Sequence, residues 1–130
     1  NSYQDMFRGD FAVEETKYIA EMANEFNLSY LHVMRADMFG IQKDIDIVTP
    51  AREIFRNALI VNMGVELEEA EEGVQEGRFD GVAFGTKFLA NPDLPERARL
   101  AAELNAPRPD LFYANEAEGY SDYPYLTALA

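Results

Sequence analysis

Between residues 11 and 26 apolar side chains return at three- and four-residue steps. They are Phe11, Tyr18, Ile19, Met22, Ala23 and Phe26, with Glu14, Glu15, Lys17, Glu21 and Glu25 between them. That period belongs to one face of an amphipathic helix. Asn27 is suited to end it, so the glycosylation-like triplet Asn27-Leu28-Ser29 is read as a helix end. LSYLHVMRA, residues 28–36, is rich in β-formers and predicts a strand, followed by a polar loop with Gly40. Thr49-Pro50 predicts a helix start, since threonine caps and proline needs no partner in a first turn. ALIVNMGV from Ala58 predicts a second strand and ELEEAEEGVQEG, residues 66–77, an acidic surface helix stopped by glycine. DGVAFG, residues 80–85, predicts a third strand that leads through a glycine turn into a helix start, and residues 91–104 contain a further helix. QKDIDIVTP, residues 42–50, alternates and predicts a short extra strand.

Helix alternating with near-continuous apolar strand implies an α/β fold with a parallel sheet covered on both faces. A chain of 130 residues supports one domain, with an irregular aromatic tail over residues 105–130. The tail aromatics predict a packed strap rather than a ligand site. A net charge of −13 repels phosphate backbones and anionic lipid surfaces, so neither nucleic acid nor membrane is an expected partner. No apolar run approaches the roughly 20 residues of a spanning helix. The absence of cysteine removes disulfides, thiolate chemistry and sulfur metal sites, and the expected location is the cytoplasm. No His/Asp/Glu cluster has metal-ligand spacing, and no P-loop or nucleophile elbow occurs.

LSYLHVMRAD, AREIFRNALIVNMG and above all DGVAFGTKFLANPDLPERARL followed by LFYANEAEGYSDYPYL resemble the C-terminal part of the old yellow enzymes, flavin-dependent ene-reductases built on a (β/α)8 barrel. The resemblance implies a partial TIM barrel in which the three strands correspond to strands six, seven and eight. The segment SYQDMFRGD then corresponds to the loop after strand five. The earlier strands carry most of the family's flavin-ring contacts, its substrate-carbonyl ligands and its proton-donating tyrosine, so the resemblance assigns none of these here. What it does imply is the phosphate end of the FMN site, made by the loops after strands seven and eight. Where the family usually has Gly-Gly and Gly-Arg, this chain has Met63-Gly64, preceded by Asn62, and Gly85-Thr86, followed by Lys87. Met63 adds bulk and Thr86 replaces a fixed cation, for which Lys87 is only a flexible substitute. Phe112 and Tyr113 match an aromatic pair that approaches the flavin and substrate in the family.

Barrel sites lie at the C-terminal ends of strands, which adds His32, Arg35 and Asp37 as candidate acid–base or anion-gripping groups. The bland reading makes His32 a core residue and Arg35 with Asp37 a partly solvated ion pair. The run Glu66, Glu68, Glu69, Glu71 and Glu72 reads as a solvated helix face. Three strands cannot close a barrel. Completion is expected by self-association into a dimer or by a complementing barrel half, with Arg35, Thr86 and Tyr113 facing a small-molecule ligand. The substituted phosphate residues point to lost FMN binding and a cofactor-free step such as isomerisation or cyclisation. Two alternatives stand beside this: an FMN-dependent ene-reductase retained as a fragment or with a complementing chain, and a non-catalytic scaffold.

Overall fold

The computed structural model describes residues 10–36, 45–114 and 117–126, and the chain divides after Ala83 into two compact units. The first holds a three-stranded parallel sheet, β1 (Tyr30–Met34), β2 (Ala58–Asn62) and β3 (Gly81–Ala83), in that order. The register pairs His32 with Ile60, which in turn pairs with Gly81, and aligns Met34 with Asn62 and Asn62 with Ala83. The first unit is therefore α/β with a small parallel sheet, as the sequence implies.

The helix α1 (Ala12–Glu25) forms where predicted, but much of its predicted core stripe points elsewhere. Phe11, Tyr18, Ile19 and Phe26 are exposed, and Ala12, Ala20 and Ala23 are buried. Small residues let α1 approach Phe55, Leu31 and Ile54 closely. Asn24 completes the contact: its Nδ2 donates to Ile54 O at 2.8 Å and its Oδ1 accepts from Arg56 N at 3.1 Å. The helix ends at Asn27 as expected. This residue takes φ 49°, its N–H donates to Asn24 O, and Leu28 N donates to Ala23 O, which together make a Schellman closure.

The second helix, α2 (Val48–Ile54), has Pro50 in its first turn, but Thr49 is not its cap. Asp46 does that work, its Oδ1 accepting from Val48 N at 2.9 Å and Thr49 N at 3.1 Å. Ile45–Ile47 form no strand, and residues 42–44 of the predicted extra strand lie outside the described residues. The acidic helix α3 (Leu67–Gln75) closes at Gly77, whose φ of 71° suits glycine. Inside α3, Gly73 admits the Phe79 ring; a Cβ at Gly73 would sit 2.1 Å from Phe79 Cζ.

The expected covering of both sheet faces is not what the described residues show. Val33, Leu59 and Val61 turn to one face and form a core with Ala51, Val65 and Phe79. On the opposite face Tyr30 and His32 are exposed, while Met34, Ile60 and Asn62 are half-buried. Alternation along each strand explains the split.

The second unit is built differently. Its helices α4 (Thr86–Ala90) and α5 (Leu94–Leu100) and the 3-10 turn Pro109–Leu111 bury few apolar side chains, among them Ala90, Leu94 and Tyr123. Buried Asn91 donates from Nδ2 to Lys87 O at 2.9 Å and accepts Asn105 N at 2.7 Å. Buried Arg97 donates to Asp93 Oδ1 at 2.7 Å, to Glu103 O, and to Pro124 O at 3.0 Å. The tail is thus a strap held chiefly by hydrogen bonds. Tyr123 packs inside it, whereas Tyr120 and Tyr125 are exposed.

Candidate functional site

At the end of β2 the chain leaves the strand abruptly, because Met63 and Gly64 take φ values of 69° and 70°. Two successive left-handed residues cannot continue a strand. Glycine adopts that conformation freely, whereas a residue with a side chain pays about 1–2 kcal/mol for it. Immediately before the turn, Asn62 Oδ1 is buried with no hydrogen-bond donor among the described residues.

Arg35, just after β1, organises this turn. Its N–H donates to Asn62 O at 3.2 Å. Its guanidinium donates from Nε to Met63 O at 3.3 Å and from Nη2 to Gly64 O, and forks onto Glu69, with Nη2 2.7 Å from Oε2. The Arg35 side chain is buried and that of Glu69 is one-third exposed. The Arg35 hydrogen bond holds the Glu69 carboxyl below the usual carboxylate range, against the opposing effect of burial. The pair borders a cavity of about 430 Å³ whose lining includes Asp46, Thr49, Arg52 and Arg78. Arg52 and Arg78 are themselves paired, with Asp80 at 2.6 Å and Glu76 at 2.7 Å.

His32 and Arg35 are not brought together. His32 lies on the exposed sheet face rather than in a core, and Arg35 turns to the face carrying Glu69. Asp37 lies outside the described residues. Glu69, which the sequence reading left in a solvated acidic face, is the residue that reading missed. The signal was available in helix register, since Glu69 shares the spacing of Ala70 and Gly73, which turn toward the core.

In the second unit Gly85 precedes α4 with φ −83° and ψ −82°, Thr86 is exposed, and Lys87 Nζ lies 6.0 Å from the centroid of the Phe84 ring. Phe112 is half-buried. Tyr113 is 90% exposed, with φ 62° and its N–H donating to the Tyr120 hydroxyl at 2.6 Å. Among the described residues no group of three or more His, Asp or Glu could hold a metal ion, and no helix is long and apolar enough to cross a membrane.

No protein-family model matches the chain. It is similar to a probable flavin mononucleotide-dependent alkene reductase of Leishmania infantum, 43% identical over 111 residues, covering 85% of this chain and 30% of that protein. Similarity to 12-oxophytodienoate reductase 2 of Arabidopsis thaliana is 37% over 117 residues, covering 87% and 31% of the two chains. Among solved structures, the old yellow enzyme from Trypanosoma cruzi superposes with a TM-score of 0.83 at 40% identity, over 91% of this chain and 31% of that one. Morphinone reductase in complex with tetrahydroNAD gives 0.80 at 35% identity, over 92% and 32%. The chain spans about 30% of the length of the curated relatives it matches.

Proposed function

For a chain that belongs to the old yellow enzyme family and spans about 30% of its relatives' length, we propose the role of the strand-six-to-eight part of an FMN-dependent alkene reductase, supplying the phosphate end of the flavin site. The observation that carries this reading is the turn after β2. Met63 keeps the left-handed backbone of a glycine pair in spite of its side chain, with Gly64 beside it. A backbone held against its own preference speaks for a site. Asn62 Oδ1, buried and without a donor among the described residues, fits a ligand hydroxyl or N–H.

FMN, when bound, supplies hydride transfer to an electron-poor alkene. The residues of this chain bind and orient. In the first unit the Met63–Gly64 backbone would receive the phosphate and Asn62 would accept a hydrogen bond; the second unit, taken by itself, carries a hydroxyl at Thr86 and, at Lys87, a point charge rather than an arginine fork. The second unit also carries aromatic surface at Phe112 and Tyr113. The remaining strands come from further polypeptide, in the same chain or a complementing one. The cofactor-free isomerase or cyclase reading draws no support from the relatives, whose names describe reductases. Of its candidate groups, His32 and Arg35 lie on opposite sheet faces, and Asp37 lies outside the described residues.

The test is to co-express the chain with the N-terminal two-thirds of the Leishmania relative and titrate FMN by flavin fluorescence. The expected result is quenching by the complemented barrel and nicotinamide-dependent loss of an enone's absorbance. A complex that forms and leaves flavin fluorescence unchanged would falsify the proposal. A complex that binds FMN and reduces no enone would turn the reading toward a binding scaffold.

A further inference from the structure

We propose that Arg35 and Glu69 act as a positioning pair that fixes the peptide planes of the turn after β2, so that the Gly64 and Val65 N–H groups face an anion on the side away from the guanidinium. The inference rests on the flavin reading above and assigns a role to two residues that reading does not use.

The chain has no cis peptide bond among the described residues. In a planar trans peptide the carbonyl and the following N–H point in opposite directions. Arg35 Nε holds Met63 O at 3.3 Å, so the Gly64 N–H in the same plane points away from the guanidinium. Arg35 Nη2 holds Gly64 O, so the Val65 N–H does likewise. One side chain thereby aims two successive donors, and paired backbone donors are what cradle an anion.

Arg35 also forks onto Glu69, which takes the guanidinium with one bond of 2.7 Å. The carboxylate offsets the arginine's charge, so Arg35 contributes geometry rather than attraction for a phosphate. It also stabilises Met63 in a conformation this residue would otherwise leave. Lysine cannot replace it, because a single ammonium on a flexible stem does not span two carbonyls and a carboxylate in one plane.

The test uses Arg35→Met, Arg35→Lys and the milder Glu69→Gln, in the complemented barrel and in the chain itself. In the complemented barrel FMN and riboflavin are titrated side by side, with the thermal midpoint recorded for each variant. Arg35→Met and Arg35→Lys should each weaken FMN about 10- to 100-fold while leaving riboflavin unchanged, the equivalent of one charge-assisted hydrogen bond. Glu69→Gln should give a smaller selective loss. Equal weakening of FMN and riboflavin, or full activity of the lysine variant, would overturn the inference. In the isolated chain, 15N spectra are followed while inorganic phosphate is added. Gly64 and Val65 amide resonances should shift in the unsubstituted protein and not in Arg35→Met. If the complemented barrel binds no FMN yet these amides respond to phosphate through Arg35, the flavin reading falls and the positioning role stands. Should Arg35→Met fail to fold, Glu69→Gln carries the same comparison, and unmoved Gly64 and Val65 amides in the unsubstituted protein would sink the proposal.

Discussion

The unit before residue 84 and the unit after it reach stability by different routes. The first packs Phe55, Leu59, Val61 and Phe79 out of water beneath a parallel sheet. The second buries Asn91 and Arg97 and satisfies them with backbone carbonyls, Asp93 and Asn105. Apolar packing tolerates substitution by similar volume, whereas a buried polar lattice works only when every member is present. This explains why FLANPDLPER and GYSDYPYL stand out together in the sequence. Arg97 donates to Pro124 O, and Asp93 accepts Leu126 N at 2.5 Å, so the two segments are halves of one lattice.

The largest effect is expected in the apolar unit. Phe79→Ala should cost about 3–5 kcal/mol in denaturant unfolding, because the ring fills the core between Val33, Leu59, Val61 and Val65 and the gap left by Gly73, and its removal leaves a cavity there. A loss below 1 kcal/mol would mean that the first unit does not depend on this packing. Next comes Asn91→Ala, which removes the side-chain bonds to Lys87 O and from Asn105 N and should cost about 1–3 kcal/mol. Its signature is faster amide exchange in peptides from residues 84–126, with peptides from the sheet unchanged. Uniform acceleration across both units would break the comparison.

The smallest effect is a gradual one with pH. Burial pushes the Asp93 carboxyl up, but hydrogen bonds from Leu126 N and Arg97 outweigh it and leave it below the usual range. The Arg108 hydrogen bond, helped by Gly119 N, lowers Asp122. A carboxyl lowered in the folded state stabilises above its unfolded value of about 4, and that contribution is lost as pH falls below it. Glu69 and Asp46 are lowered in the first unit as well, Asp46 through its bonds from Thr49 and Val48 overcoming burial. Amide exchange, corrected for its intrinsic pH dependence and followed from neutral pH down to about 3, should show protection falling in both units. Protection that does not fall in one of the units would mean that its lowered carboxyls contribute nothing to that unit's stability.

Much of this architecture was legible from pattern. The order of helices and strands follows from periodicity, and the ends at Asn27 and Gly77 follow from the few residues that accept a left-handed backbone. The inward side of α1 was not legible. Periodicity locates the apolar side chains Phe11, Tyr18 and Ile19 but does not say what covers them, and it was the alanines that allowed close approach. The partnership of Arg35 with Glu69 joins residues 34 positions apart and depends on how two strands and a helix come together. Local sequence rules do not reach that far. The strain at Met63 was also hidden, since bulk can be read from a residue type and φ cannot.

The bond from Leu126 N to Asp93 ties together residues 33 positions apart in a chain without cysteine. A disulfide closing a loop of that size would restrict the unfolded chain by about 3–4 kcal/mol. The hydrogen-bonded clasp opens with the fold instead and leaves the unfolded chain unrestricted, so reductants and oxidants do not set how tightly the strap holds.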